Sequence, residues 1–363
     1  MTPQRLQTLV QRGEAIENRS CRGWRLDGLD LSGGIFQQVD FDGVSCVGTR
    51  FEQSQFLNCT LNGVVLAEAD LRSAAFSQSS LEGAQFNGAQ LGDAVFHECR
   101  LSGSDFSNAG LADTKFSDST LERCRMAGSL LDKTLFFRSP LAEADLSGAR
   151  LNQAVFFQVD LRSTRLAGAA FERAVFVESR LAGQDFSGQR FQMCQFVDAD
   201  LEGCNFTEAW LAQCNFKGAA LRGAVLHRAH APQTLFPEAD LRQADARGAH
   251  FDQSLWIDAR LGAADFSGAS LQQCIFHRAG CQATRFARAD LTYADFSHAE
   301  LGGADFTDAR LFRTLLHGAR PPDALRGHAG VLPDDPELAE AERWSARKGL
   351  PIHPSTLRGN PSP

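Results

Sequence analysis

No stretch of the 363-residue chain stays apolar long enough to span a membrane. Its first residues lack a basic start followed by an apolar run, so no cleaved secretory signal is expected and the expected compartment is the cytoplasm. The ten cysteines include no C-x-x-C pair, which removes the usual zinc spacing. A nucleophile elbow, a P-loop and a Rossmann glycine pattern are all missing, and with them the common catalytic and nucleotide-binding signatures. A dominant charge is missing too: 36 basic and 44 acidic residues leave −8. Neither the 3.6-residue period of a helix nor the 2-residue period of a flat strand runs through the chain.

What the chain has is a five-residue period, and a search for repeats precedes any other reading. From Leu26 to Leu316 every fifth residue is apolar: 59 positions, of which 53 are Leu or Phe. The exceptions are Cys46, Met126, Ala231, Ala246, Trp256 and Cys281. Two residues before each anchor runs a lattice of small side chains, such as Ala69, Ala74, Ser79, Ala84 and Ala89. Positions two apart share a face in extended chain. A corner must therefore follow each short strand, and Gly83, Gly88, Gly103 and Gly128 fall where it would lie.

A 20-residue period lies over the five. Every fourth anchor from Phe36 to Phe296 is aromatic, and every fourth anchor from Leu61 to Leu261 is Leu. One coil thus has four sides, with like side chains stacked in columns, where rings gain area and favourable geometry. The 59 anchors make about 15 coils. At the usual strand spacing the rod is roughly 70 Å long.

Ala69-Asp70-Leu71, Ala144-Asp145-Leu146, Ala199-Asp200-Leu201, Ala239-Asp240-Leu241 and Ala304-Asp305-Phe306 carry the pattern A-(D/N)-L-x-x. In this the chain resembles the pentapeptide-repeat proteins over about four-fifths of its length. The expected fold is an all-β solenoid, a four-sided parallel β-helix with short helical caps. The right-handedness of that helix is what the resemblance implies.

Three segments are expected. Residues 1–19 read as a capping helix: Thr2-Pro3 offers an N-cap with proline in the first turn, and Leu6, Leu9 and Val10 share a face. An end coil left open would expose unpaired backbone. Residues 20–319 are the β-helix, with no insertion loop. Its expected weak spot is 230–256, where Ala231, Ala246 and Trp256 replace Leu or Phe and Pro232 and Pro237 threaten the ladder. Pro140 reads as an isolated corner. Residues 320–363 form a tail with one short helix over 334–348, acids early and bases late, stopped by Gly349 and followed by a fraying end from Pro351 to Pro363. That tail has three possible places: the last coil, a side of the rod, or a second chain.

Candidate chemistry is sparse. All ten cysteines fall on the two inward lattices and read as small buried hydrophobes. Cys194 and Cys214 are 20 apart, yet parallel side chains in a reducing compartment argue against a bridge. His230 and His250 stack above Trp210 on an outward column with no third ligand in sight, and the other histidines are scattered. Asp and Asn before the anchors, including Asp105, Asp185, Asn205 and Asn215, read as caps of local turns. No catalytic residue, cofactor, metal or small-molecule substrate is expected, because Leu, Phe and Ala fill the interior.

One side departs from the rule that outward positions are polar. Outside the aromatic column stand Leu135, Phe137, Val155, Phe157, Val175, Val177, Val197, Leu235, Leu255, Ile257 and Ile275, with Ile35, Leu57 and Val95 nearer the N-terminus. Val, Ile and Phe suit strands anywhere. Their confinement to one side points instead to a partner-binding strip. The partner is an unidentified protein, a second copy of the chain, or the chain's own tail; neither nucleic acid nor membrane is expected.

The resemblance implies a non-catalytic protein–protein interaction scaffold, in its finer form accessory to a bacterial type VI-like secretion system. The alternative it implies is a DNA-mimicking inhibitor that binds DNA gyrase or topoisomerase and gives quinolone protection. Charge argues against that alternative. The first 25 residues hold five Arg and two Glu and residues 320–363 hold six of each sign, so the coil body carries only about −11. Duplex DNA of the rod's length carries roughly 40 charges. No outward Thr ladder supports ice binding.

Overall fold

The structure, a computed structural model, describes residues 2–320, 322, 325, 328–332 and 334–348. It is a parallel β-solenoid. Bridges join residues 20 apart from Ser20↔Asp40 to Glu300↔Arg320, all of them parallel. On the aromatic side they lengthen into three-residue strands, with Phe36 on Phe56, Phe56 on Phe76 and onward to Phe176.

The repeat builds the corner locally. At most corners the amide of the small residue donates to the anchor three before it, as Ala74 N–H does to Leu71 O at 3.0 Å, while on the aromatic side several donate instead to a hydroxyl one coil on, as Cys99 N–H does to Ser119 Oγ at 3.0 Å. The residue between them takes a left-handed φ, whether Gly83 at +65° or Gln53 at +58°. Most of these corners carry no glycine, so each costs some backbone energy. An inter-coil bond at the same residue offsets it: Gln53 N–H donates to Arg72 O at 2.9 Å. Anchors add a second bond, Leu71 N–H to Gln90 O at 2.7 Å, and the residue before each anchor a third, Gln90 N–H to Ala69 O at 2.9 Å.

The interior is filled by side chains, with anchors from Leu26 to Leu301 at most 5 % exposed. Phenylalanine rings lie face to face along the axis, Phe56 on Phe76 at 4.5 Å and Phe76 on Phe96 at 4.8 Å. Trp256 keeps the column, 4.1 Å from Phe236 and 5.7 Å from Phe276.

One expectation about the body needs correcting. The ladder is intact across 230–256. Pro232 and Pro237 sit one residue before the donating corner amides, Gln233 N–H to Asp252 O and Glu238 N–H to Ile257 O. A proline there removes no ladder donor, and both prolines still accept from the preceding coil. The irregular seam lies instead at 163–189. Between Gly13 and Gly318, Ser163 is the one corner residue without a left-handed φ. Among the described residues no bridge continues the Asp145↔Arg165 column to Asp185. Gln184 and Gln189 explain it: they occupy the small-residue lattice and are half-buried where Ala, Ser or Cys would be buried. Gln184 Nε2 donates to Leu161 O at 2.6 Å and Thr164 O at 2.8 Å, which wedges side chain into the gap between coils.

Helix α1 (Pro3–Gln11) starts on Thr2, whose hydroxyl accepts from Arg5 N–H at 3.3 Å. Leu6 and Val10 are buried beneath it and Gly13 N–H closes on Val10 O at 2.8 Å. The solenoid begins sooner than the 1–19 cap boundary allows, because Ile16 already pairs with Phe36. That early rung brings the solenoid to about 16 turns. The tail holds a strand as well as a helix. Val331–Leu332 pairs in parallel with Thr314–Leu315, 17 residues away instead of 20. Gly330 is required there, since a Cβ would lie 1.8 Å from Leu311 O. Helix α2 (Pro336–Arg347) follows, capped by Asp335. Gly349 and the fraying expected from 351 onward lie outside the described residues.

Candidate interaction surface

The outward positions of the aromatic side are set by the strand pleat. In Leu135–Phe137, Val155–Phe157 and Val175–Val177 the central Phe points inward and its neighbours point out. Leu135, Val155 and Val175 pair in register, as do Phe137, Phe157 and Val177. Six apolar side chains thus share one flat sheet over three coils. Phe137 and Phe157 stack at 5.2 Å, and the Arg138 guanidinium lies 4.4 Å from the Phe137 centroid. All eleven residues from Leu135 to Ile275 are half-buried, each partly shielded by the coil above and below.

The strip is two patches rather than one. Val197 ends the first. Gln195 and Asn215 interrupt the column, joined by an Asn215 Nδ2 to Gln195 Oε1 bond of 3.0 Å. Leu235, Leu255 and Ile275 then pair in register, with Ile257 beside them, and Asp295 closes the second patch.

The C-terminal end of this same side is covered. Helix α2 lays Leu338, Ala341, Glu342 and Ser345 over His277, Asp295, Ser297, His298, Leu315 and His317, around a cleft of about 500 Å³. His277 Nε2 bonds Asp295 Oδ2 at 2.7 Å. The Asp295 carboxyl is held below the usual range: burial opposes this, while hydrogen bonds from His277 and Ser297 outweigh it. Sequence reasoning left His298 and His317 scattered. Their spacing of 19, one short of a coil, was the available signal that they are neighbours on adjacent columns; the ring centroids are 5.5 Å apart. Glu342 had no such signal, because α2 lies outside the repeat.

The other candidates take their expected places. All ten cysteines are buried and unbridged. Burial pushes the Cys21 thiol up to about 11, and the Cys46 and Cys281 thiols higher still. Trp210, His230 and His250 stack outside another side, with centroids 4.5 and 6.2 Å apart. Burial, then the neighbouring His250, lowers the His230 pKa. The Asp and Asn caps accept from the amide two residues on, as Asp105 does from Ser107 at 3.0 Å and Asn205 from Thr207 at 3.0 Å. No helix among the described residues is long and apolar enough to cross a membrane.

Comparison with known proteins agrees with this geometry. A family model described as pentapeptide repeat region matches residues 29–106 and 73–146. A second, described as pentapeptide repeats (8 copies), matches successive segments from 139–176 to 284–320. None of the curated proteins compared with the chain matches it. Among solved structures, HetL, a pentapeptide repeat protein involved in heterocyst differentiation regulation from the cyanobacterium Nostoc sp. strain PCC 7120, is 24 % identical. That match covers 69 % of this chain and 90 % of HetL with a TM-score of 0.26. QnrB1, a plasmid-mediated fluoroquinolone resistance protein, is 14 % identical over 82 % of this chain and 99 % of its own, with a TM-score of 0.23. With the repeat matched almost without interruption from residue 29 to 320 and a 20-residue coil built on it, the chain belongs to the pentapeptide-repeat proteins.

Proposed function

We propose that this chain is a non-catalytic scaffold that binds another protein along the outside of its aromatic side. The observation that carries the reading is the in-register patch of Leu135, Phe137, Val155, Phe157, Val175 and Val177. Such a patch on a flat, regular sheet is surface that a solitary rod has no reason to keep apolar. The filled interior supports a role in presentation, since substrate chemistry needs a concave pocket lined by convergent polar groups. On the family resemblance, a component of a type VI-like secretion system is the partner class to assay first.

The test is the double substitution Phe137→Ser and Phe157→Ser. Both side chains point outward, so the circular dichroism of the coils should stay unchanged while a partner captured by the natural chain is lost. Unchanged capture together with an unchanged oligomeric state would sink the proposal.

A further inference from the structure

We propose that His298, His317 and Glu342 form a zinc site that fastens helix α2 to the side of the solenoid. His298 Nε2 lies 3.0 Å from Glu342 Oε1, and His317 Nε2 lies 3.4 Å from Glu342 Oε2. One ligand atom from each residue falls within 4.8 Å of the others. Zinc bonds of about 2.0–2.1 Å in a tetrahedron put ligand atoms roughly 3.3–3.4 Å apart, so small side-chain adjustments seat the ion. Two neutral imidazoles and one carboxylate are ligands that zinc accepts readily.

The surroundings hold the ligands in place. His317 is 2 % exposed and Glu342 19 %, so the site is sheltered on the protein side. The two histidines sit on adjacent coils, tied by a His298 N–H to His317 O bond of 2.8 Å. Gly318 makes room for the His298 ring: a Cβ there would lie 2.5 Å from its Nδ1. That packing turns Nε2 toward α2. On the far side of the His317 ring, Nδ1 lies 3.6 Å from Asp334 Oδ1, the nearest carboxylate, without a hydrogen bond of normal length. A carboxylate behind the non-ligating nitrogen is the usual partner of a zinc-bound imidazole. Asp334 is itself fixed by Gly318 N–H at 3.2 Å. The cleft beside α2 leaves the fourth coordination position open to a water molecule.

The consequence reaches beyond the ion. Among the described residues, no residue of α2 is fully buried. Metal binding would convert a weakly packed helix into a fixed cover over the end of the aromatic side. This inference is independent of what binds the apolar patches.

The experiment uses the full chain, stripped with a chelator and titrated with zinc chloride by calorimetry, with hydrogen exchange followed over residues 336–347. The expected result is one equivalent of zinc bound and slowed exchange in α2. Glu342→Gln and His298→Ala should each weaken binding roughly a hundredfold and abolish the slowing. Both variants keep all ten cysteines, so thiol binding appears equally in each and is subtracted. No stoichiometric uptake, equal uptake by Glu342→Gln, or uptake without slowed exchange in α2 would each overturn the proposal.

Discussion

Most hydroxyls inside this rod reach a carbonyl of the preceding coil, though Ser129 Oγ turns to Met126 O in its own coil. Thr49 Oγ1 donates to Leu26 O at 2.8 Å, Ser104 Oγ to Leu81 O at 2.7 Å and Thr134 Oγ1 to Leu111 O at 2.7 Å, each 23 residues back. Cys124 Sγ and Cys274 Sγ repeat the bond at 3.1 and 3.0 Å. Small polar residues therefore enter the interior without an unsatisfied group, which is why Ser, Thr and Cys alternate freely with Ala there. Outside, Asp240 is 7 % exposed, takes a two-point grip from Arg242 and lies 3.3 Å from Arg260. The Arg242 hydrogen bond, opposed by burial, holds its carboxyl below the usual range. A carboxyl depressed by folding stabilises fully above its unfolded value near ~3.9, and that contribution drains away as pH falls through the lower folded value. Asp240→Asn should lower the melting temperature at neutral pH by roughly a few degrees, with the deficit shrinking toward pH ~2. Melts at the two pH values check this, and an equal deficit at both would refute it.

At the scale of the element, the coil was legible because period alone dictates it. Anchors at five and aromatics at twenty leave one way to stack, and the bridges follow that spacing residue by residue. The misplaced seam shows where period reading stops. Pro232 and Pro237 looked dangerous, but their harm depends on which amides the corner uses, and that is a three-dimensional fact. Gln184 and Gln189 escape a count of apolar anchors, yet they stand on the small lattice and stay half-buried where Ala, Ser or Cys would be buried. Pro140 does interrupt its column, whose bridges reach Thr120 and resume at Asp160, because that position normally donates an amide. Replacing Gln184 and Gln189 by Ala should let the ladder close at Leu166 and Gly168. Their amides should then exchange roughly tenfold more slowly, the worth of one hydrogen bond at about 1.4 kcal/mol. Unchanged exchange at those amides would show that another cause holds the coils apart.

Across the whole molecule, many charges pair between coils. Arg50 reaches Asp30, Arg125 reaches Asp105, Arg180 reaches Asp160, Arg278 reaches Asp258 and Arg310 reaches Asp290, each one coil back. Exposed pairs of this kind add little stability. Their effect is on the field, because Arg set against Asp one coil back interrupts the acidic columns and leaves the coil body with a small net charge for its length. Purified protein at micromolar concentration should leave DNA gyrase supercoiling unaffected, and inhibition there would restore the DNA-mimic reading. The apolar side is the larger asymmetry. Its residues were readable from the 20-residue columns, but the break at Gln195 and Asn215 acquires meaning only once the patches are seen to be separate.

By itself the sequence determined the coil, its four sides, its aromatic axis and the side on which polarity fails. A solenoid contacts only its neighbours, so spacing along the chain is spacing in space. The tertiary structure decided what lies outside the period: the strand at Val331–Leu332, the place of α2 on the aromatic side, and the meeting of Glu342 with His298 and His317. Those contacts join a non-repeating tail to the repeat, where no register relates one residue number to another.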